Sequence, residues 1–508
     1  MTSGVADHGL RAAAASGVLA AVLALASSEL LAALLPGAPS LVLAVGAAVV
    51  DLAPLPVERV AVNIFGTADK PALVFGIVLL SAVVGAALGV AAARRFWIGV
   101  VGFSLFGILG AVAGFFDPQA SGVVGSVSAA ASALLGVGVL RRLLDAAPTG
   151  PGPGERRRFL VLTASVLGLA LAGGGVGRWI LRGRARMRAE REAVRLPAAS
   201  RPLAAPAAST SLNVRGLSPL VTPNADFYRI DTALAIPQVE LSGWRLGIGG
   251  MVDRPLSLSF DDLLAMDLVE ADVTIACVSN EVGGQLIGNA RWLGVPLALL
   301  LERVGVQPGA GQIVGQSVDG WTGGFPTQAA FDGRNALVAV GMNGEPLPIE
   351  HGFPARLIVP GLYGYVSATK WLSRIRLVTW EGFDGYWIPR GWSKEGPIKT
   401  QSRIDVPARF GAIPAGPTAI AGVAWAPRRG ISAVEVQIDE GRWQPAPLAG
   451  ELHADTWRQW ALQWDATPGI HRIRARATDG TGETQTEASA PVIPNGATGY
   501  HTIRVTVT

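Results

Sequence analysis

The sequence predicts a three-part chain: an N-terminal multi-span α-helical membrane domain over residues 1–180, an α+β domain over about 217–404, and a C-terminal immunoglobulin-like β-sandwich over 405–508. Three observations carry this. Residues 1–180 are dominated by Ala, Leu, Val and Gly in a chain that is only 16% charged. In the middle region, strand-like alternation mixes with short capped helices. From Asp405 onward only short alternating strands and turn signals recur.

Apolar runs of about the 20 residues needed to cross a bilayer occur at Leu10–Leu35, Ala72–Ala93, Phe96–Phe116, Ser121–Leu140 and Phe159–Ile180. The shorter run Pro39–Val50 either dips into the membrane or extends through Ile64 as a sixth span. Arg94, Arg95, Arg141, Arg142 and Arg156–Arg158 fall in two loops that the positive-inside trend assigns to the cytoplasm. The C-terminal half is then expected on the extracytoplasmic side of the cell membrane. Arg178, Arg182, Arg184, Arg186 and Arg188 oppose that trend. Arg156-Arg-Arg-Phe-Leu160 reads either as ordinary anchoring arginines or as an internal twin-arginine export signal. His8, His351, His453, His471 and His501 are the only histidines, and none lies inside a span. No bis-histidine haem is therefore expected in the membrane. Glu29 lies near the end of the first run and is read as interfacial, with no assigned role.

Residues 181–216, rich in Arg, Ala and Pro, read as an exposed linker beginning as a helix. Beyond it, Trp244–Gly250 reads as a strand, and Ser259-Phe-Asp-Asp before an apolar run as a capped helix. A further helix is expected over Leu297–Val304, with strands near Ile313–Ser317 and Ala336–Val340. In the last part, Val434, Val436 and Ile438 alternate with polar residues, as do Ile473, Ala475 and Ala477.

The single cysteine, Cys277, ends a period-two run. Val269, Ala271, Val273, Ile275 and Cys277 share one face; Glu270, Asp272 and Thr274 share the other. This predicts a half-buried strand that aims the thiol inward, before a glycine-rich loop. One thiol cannot form an internal disulfide, nor a zinc or iron–sulfur centre, which needs several converging ligands. It suits a metal that brings its other ligands with it; otherwise it is a buried structural cysteine.

The runs Cys277-Val-Ser-Asn280, Gly288-Asn-Ala-Arg-Trp292, Met342-Asn-Gly-Glu-Pro-Leu347, His351-Gly-Phe-Pro-Ala-Arg356 and Val359–Trp371 together resemble the molybdenum-binding core of the sulfite oxidase family, over about residues 217–508. The resemblance implies a molybdenum–molybdopterin (Mo-MPT) cofactor, with Cys277 as protein metal ligand and catalytic centre. It implies a groove for the pterin and its phosphate from Phe227, Tyr228, Arg229, Asp231, Asp319, His351, Arg356, Ala368, Thr369 and Lys370. Arg291 and Trp392 are catalytic candidates beside Cys277, and Arg291 and Trp292 are expected at the pocket mouth. The chemistry implied is a two-electron oxygen-atom transfer on a small molecule, with an external electron carrier and no haem. The C-terminal domain resembles the family's dimerisation domain, although several members work as monomers, so homodimer and monomer both stay open.

The sequence departs from sulfite oxidases where sulfite would sit. Ser279-Asn280-Glu281 follows the cysteine in place of an arginine-containing run, Gly364–Lys370 lacks an arginine, and Gly391-Trp392-Ser393 stands where a tyrosine is expected. A cage without two guanidinium groups and with Glu281 added should hold a dianion poorly. Trp392 and Tyr365 are expected to line a neutral pocket that suits an uncharged substrate. Alternatives are a methionine-sulfoxide or N-oxide-type reductase of the same fold, and a metal-free, membrane-tethered binding protein. The net charge of +4 gives no reason to expect nucleic acid.

Overall fold

The computed structural model describes residues 2–508 apart from 36, 55–56, 58–59, 62–63, 66–67, 119, 149–152 and 182–183. It divides into two compact units, residues 1–187 with 233–237, and residues 188–232 with 238–508.

The first unit is helical: α1 (Thr2–Leu34), α2 (Leu41–Leu52), α3 (Asp69–Arg94), α4 (Phe96–Phe115), α5 (Gly122–Asp145) and α6 (Pro153–Leu181). Among the described residues, five of these helices (all but α2) are long and apolar enough to cross a membrane. At 1.5 Å per residue, the 12-residue α2 is too short to span. The sixth span once open through Ile64 falls partly on residues outside the described set, as does Arg182.

Large apolar side chains such as Leu80, Leu105, Leu109, Leu134 and Leu171 point outward, as lipid-facing residues do. Small residues line the contacts between helices. A Cβ on Gly17 of α1 would collide with the Gly85 carbonyl of α3, and one on Gly89 with the Ala13 carbonyl. With apolar residues on both sides of the packing decision, such close backbone approach is what favours helix over lipid. Glu29, read from sequence as interfacial, is buried among the helices. It accepts a hydrogen bond from Ser40, the residue that caps α2.

The second unit begins at Arg188, within α7 (Arg184–Ala193), and its Arg191 pairs with Glu345 at 2.7 Å. The following segment, expected as a free tether, stays largely exposed yet is hydrogen-bonded to the body: Ser200 N donates to Leu268 O and Leu203 N to Glu270. Ten strands follow: β1 (Leu246–Gly250), β2 (Leu256–Leu258), β3 (Val269–Ala276), β4 (Ile287–Pro296), β5 (Gln312–Ser317), β6 (Thr322–Pro326), β7 (Leu337–Met342), β8 (Glu345–Pro346), β9 (Arg356–Ile358) and β10 (Leu372–Val378). They form one sheet in the order β2-β1-β10-β5-β6 and another in the order β3-β4-β7-β8, with β9 on β7. Helix α8 (Phe260–Leu264) carries the expected capping box between Ser259 and Asp262, and α9 spans Leu297–Val304.

Past residue 400 the chain is all β. β11 (Gln401–Val406), β12 (Ala412–Ile413), β13 (Gly416–Trp425), β14 (Ile431–Ile438), β15 (Gln444–Pro445), β16 (Arg458–Ala466), β17 (Gly469–Asp479) and β18 (His501–Val507) form two sheets, β11-β13-β16 and β12-β18-β17-β14-β15. Their inward residues, including Ile404, Ile420, Val434, Val436, Trp460, Ile473 and Val505, share one core.

The β3 strand corrects the sequence reading. It is covered on both faces, not half-buried: Asp272 is 5% exposed and Thr274 is 0%. Thr274 N donates to Asp455 O, and Trp457 N donates to Thr274 Oγ1. The second cover comes from far along the chain, which local alternation cannot reveal.

For the helix contacts the expected outcome is specific. Gly17→Leu should lower the thermal aggregation temperature of the detergent-solubilised protein by several degrees. Gly76→Leu, where nothing lies within 4 Å of an added Cβ, should leave it unchanged.

Candidate functional site

Hydrogen bonding to β4 fixes the end of β3 at Ala276, paired with Ile287, and delivers Cys277 to the floor of a pocket of about 900 Å3, open mouth included. Cys277 is 8% exposed, and its amide donates to Leu286 O at 2.9 Å. Burial raises the thiol pKa, opposed by the Ser279 amide and hydroxyl, which donate to the sulfur. A metal cation at the sulfur would reverse that balance and hold a thiolate.

One group of residues in the pocket is cationic and deeply buried. Arg356, on β9, is 4% exposed, with Nη1 donating to His351 O at 3.0 Å and Nη2 to Ala368 O at 3.4 Å. Its Nε is buried without a partner, and its guanidinium lies 5.1 Å above the Trp292 ring. Burial lowers its pKa to about 10. Lys370 is pushed down to about 8 by burial, against the opposing pull of Asp231, to which it donates at 2.7 Å. Arg229 also pairs with Asp231, at 2.8 Å. His351 Nε2 lies 3.0 Å from Asn224 O and donates to it in the neutral form. Burial, then the Arg356 charge, hold this histidine down at about 4. Phe227 stacks on Tyr228 and meets His351 edge-on, and burial raises the Tyr228 pKa.

The same lining also carries Ser279, Tyr365, Trp321, Trp387 and Trp392, together with Asp319, whose Oδ1 accepts from Trp321 N at 3.2 Å. Tyr365 donates its hydroxyl to Ser393 O, and its ring lies 5.9 Å from that of Trp392. Trp392 is 9% exposed and its indole Nε1 has no partner. Tyr365 is held protonated by burial and by its neighbour Tyr363.

Of the residues singled out in the sequence, the structure brings Phe227, Tyr228, Asp231, Cys277, Asp319, His351, Arg356, Ala368, Lys370, Tyr365 and Trp392 to this one pocket. Arg229 stands behind Asp231, and Thr369 is fully buried against Gly315 with its Oγ1 unpartnered. Arg291 and Trp292 are not at the mouth. Arg291 is bound to Asp272 at 2.8 Å and to the carbonyls of Leu203 and Ala204. Trp292 is fully buried beneath Arg356, with Nε1 donating to Val273 O. The alternation of β4 accounts for both, since Arg291 faces Asp272 across the sheet. Glu281, expected in the substrate cage, is exposed and outside the lining. Sequence reading missed Trp321 and Trp387; the turn glycine Gly320 beside Asp319 and the aromatic cluster Tyr386-Trp387 ahead of Trp392 were the available signals.

The residues fit a molybdopterin group. Among the described residues no three His, Cys, Asp or Glu side chains converge as a metal site. A metal at Cys277 must therefore arrive with its other ligands attached. Arg356 is buried among carbonyls and an indole with no carboxylate partner, and this matches an incoming phosphate.

The family described as "Oxidoreductase molybdopterin binding domain" matches residues 233–387. The chain is 30% identical over 321 residues to the mitochondrial sulfite oxidase of Macaca fascicularis, covering 54% of this chain and 58% of that protein. It is 37% identical over 157 residues to the uncharacterized oxidoreductase YuiH of Bacillus subtilis (strain 168), covering 31% of this chain and 76% of that one. Among solved structures, the sulfane dehydrogenase SoxCD from Paracoccus pantotrophus superposes with a TM-score of 0.50 at 25% identity, covering 57% of this chain and 82% of that chain. The chain thus spans a little over half the length of the sulfite oxidases it matches.

The His351 environment sets a pH dependence. An unfolded histidine titrates near 6.5, so between about pH 6.5 and 4 the unfolded state binds a proton that the folded state refuses. Stability is then full above about 6.5 and falls as pH drops through that window. His501, held down at about 4 by burial, then by the Arg403 charge, adds to the same slope. The melting temperature of cofactor-free protein should fall from pH 7 to pH 5, and His351→Gln should flatten the slope by about half. A midpoint independent of pH over that range would contradict this.

Proposed function

This chain belongs to the sulfite oxidase family of molybdopterin-dependent oxidoreductases, and on that premise we propose that it is a membrane-anchored enzyme carrying out two-electron oxygen-atom transfer on a small uncharged substrate, not sulfite. The observation that carries the reading is the pairing of one buried thiol with a buried, carboxylate-free guanidinium in the same pocket. When bound, the molybdenum–molybdopterin group supplies the oxygen-atom transfer and its two-electron redox change. Cys277 serves as the protein ligand, oriented by its strand-end position and the hydrogen bond to Leu286 O. Arg356 and Lys370 meet the terminal phosphate, with Asp231 holding the lysine in place. Phe227, Tyr228 and the neutral His351 wall the pterin channel, with Asp319 and the Ala368-Thr369 turn beside it.

The aromatic part of the pocket receives the substrate. Sulfite is a small dianion, and each charge-assisted contact absent there withdraws roughly 1.5–3 kcal/mol. Trp392, Trp321 and Trp387 line this part of the pocket and offer apolar area. These features favour a second, narrower reading: reduction of S-oxides or N-oxides.

The wider assignment places the cofactor domain at 217–404, after a linker at 181–216, and an accessory immunoglobulin-like, dimerisation-type domain at 405–508. The arginine loops support an extracytoplasmic location for both. Electrons then pass through an external carrier.

Two measurements test this. Purified full-length protein supplied with reduced dye should turn over sulfoxides or N-oxides, while sulfite-dependent electron release should stay at least a hundredfold below that of a sulfite oxidase; efficient sulfite turnover would overturn the substrate assignment. Arg356→Gln should leave the fold intact and lower molybdopterin content at least tenfold, read from the fluorescence of the oxidised pterin. Unchanged pterin content would remove Arg356 from the phosphate site.

A further inference from the structure

The loop after Cys277 is lapped by solvent: Glu281 and Gln285 are exposed, and Val282 to Gly284 are half-buried. Inside it, Asn280 Oδ1 accepts from Leu286 N at 2.8 Å, and Gly284 N donates to Glu281 O. Its outer anchor comes from the C-terminal sandwich. Arg403, in β11, is 2% exposed, lies 6.0 Å over the Trp457 ring and makes three hydrogen bonds. Nη1 donates to Gly284 O at 2.9 Å, Nη2 to Ser218 Oγ at 2.8 Å, and Nε to Asp405 Oδ1 at 2.7 Å. His501, from β18, sits so close to Gly283 that an added Cβ there would overlap its ring. That ring is fixed in turn, its Nδ1 accepting from Ile404 N at 2.9 Å. Gly283 has φ +79, a conformation glycine adopts without strain.

The strand ahead of the cysteine is tied to the same sandwich through Thr274, Asp455 and Trp457. Ala276, Val278 and Ile287 also share one apolar core with Val423, Trp425 and Trp457. Both flanks of the thiol are therefore held by residues more than a hundred positions away, and Arg403 is the only charged side chain among those holds that reaches the loop backbone.

We infer that Arg403 is a positioning residue for the Cys277 sulfur, and that the C-terminal sandwich is part of the metal-ligand scaffold. The inference rests on the reading of Cys277 as metal ligand. A planar fork that serves three acceptors in different directions cannot be replaced by a lysine, whose single ammonium lacks that spread.

The test uses the full-length chain in detergent, made in two hosts. In cofactor-free protein from a molybdopterin-deficient host, hydrogen exchange of the peptide covering residues 278–286 should accelerate at least tenfold in Arg403→Gln. Peptides from β14 and β17 should be unchanged. Arg403→Lys, which keeps the charge beside Asp405 and so keeps the fold, should accelerate that loop at least threefold. In loaded protein, Arg403→Lys should lower kcat with little change in KM and alter the anisotropy of the Mo(V) resonance, because the sulfur's orientation at the metal has changed. Wild-type exchange of residues 278–286 in Arg403→Lys, or a wild-type Mo(V) signal, would overturn the inference. A wild-type protein without molybdenum would instead overturn the ligand reading of Cys277, and the exchange arm would still decide whether Arg403 holds the loop.

Discussion

The second unit is organised around a buried cation that the polypeptide does not neutralise. Arg356 lies among two carbonyl oxygens and an indole face, with one nitrogen left over. Burying a charge without a counter-charge costs several kcal/mol, and proteins rarely tolerate that unless a ligand supplies the missing anion. Lys370 is depressed by the same burial, and His351 is kept neutral beside both. The strained positive φ of Trp371, next to Lys370, belongs to the same cluster. Such concentrations of perturbed groups mark functional sites more often than structural ones.

That cation does not stand alone in its pocket. Positive groups gather where a phosphate would bind, and the same lining carries the thiol and the aromatic side chains Tyr365, Trp321, Trp387 and Trp392. We propose that Ser279, Tyr365 and Trp392 face the substrate; among the described residues lining the pocket, Arg356 is the one guanidinium.

Much of this was legible in the sequence because it is locally encoded. The membrane runs follow from composition, the cap at Ser259 from side-chain chemistry, and the thiol's direction from period two. What was not legible depended on partners distant in the chain. The second cover on β3 comes from Asp455 and Trp457, so Thr274, polar and apparently outward, is fully buried. Arg291 and Trp292 belong to a recognised motif, yet the register of β4 against β3 turns the arginine to Asp272 and the tryptophan into the core. Glu29 lies near the end of an apolar run, and its enclosure by the return of the chain through Ser40 could not be read locally. Arg403 carried no local signal, since its value lies in reaching Gly284, 119 positions earlier.

The most direct test is elemental analysis combined with Mo(V) paramagnetic resonance on full-length protein from a molybdate-replete host, compared with Cys277→Ser. The account predicts close to one molybdenum per chain and a thiolate-ligated Mo(V) signal in the wild type, with the signal lost or transformed in the variant. Well-folded wild-type protein without molybdenum, or a variant whose signal matches the wild type, would contradict it.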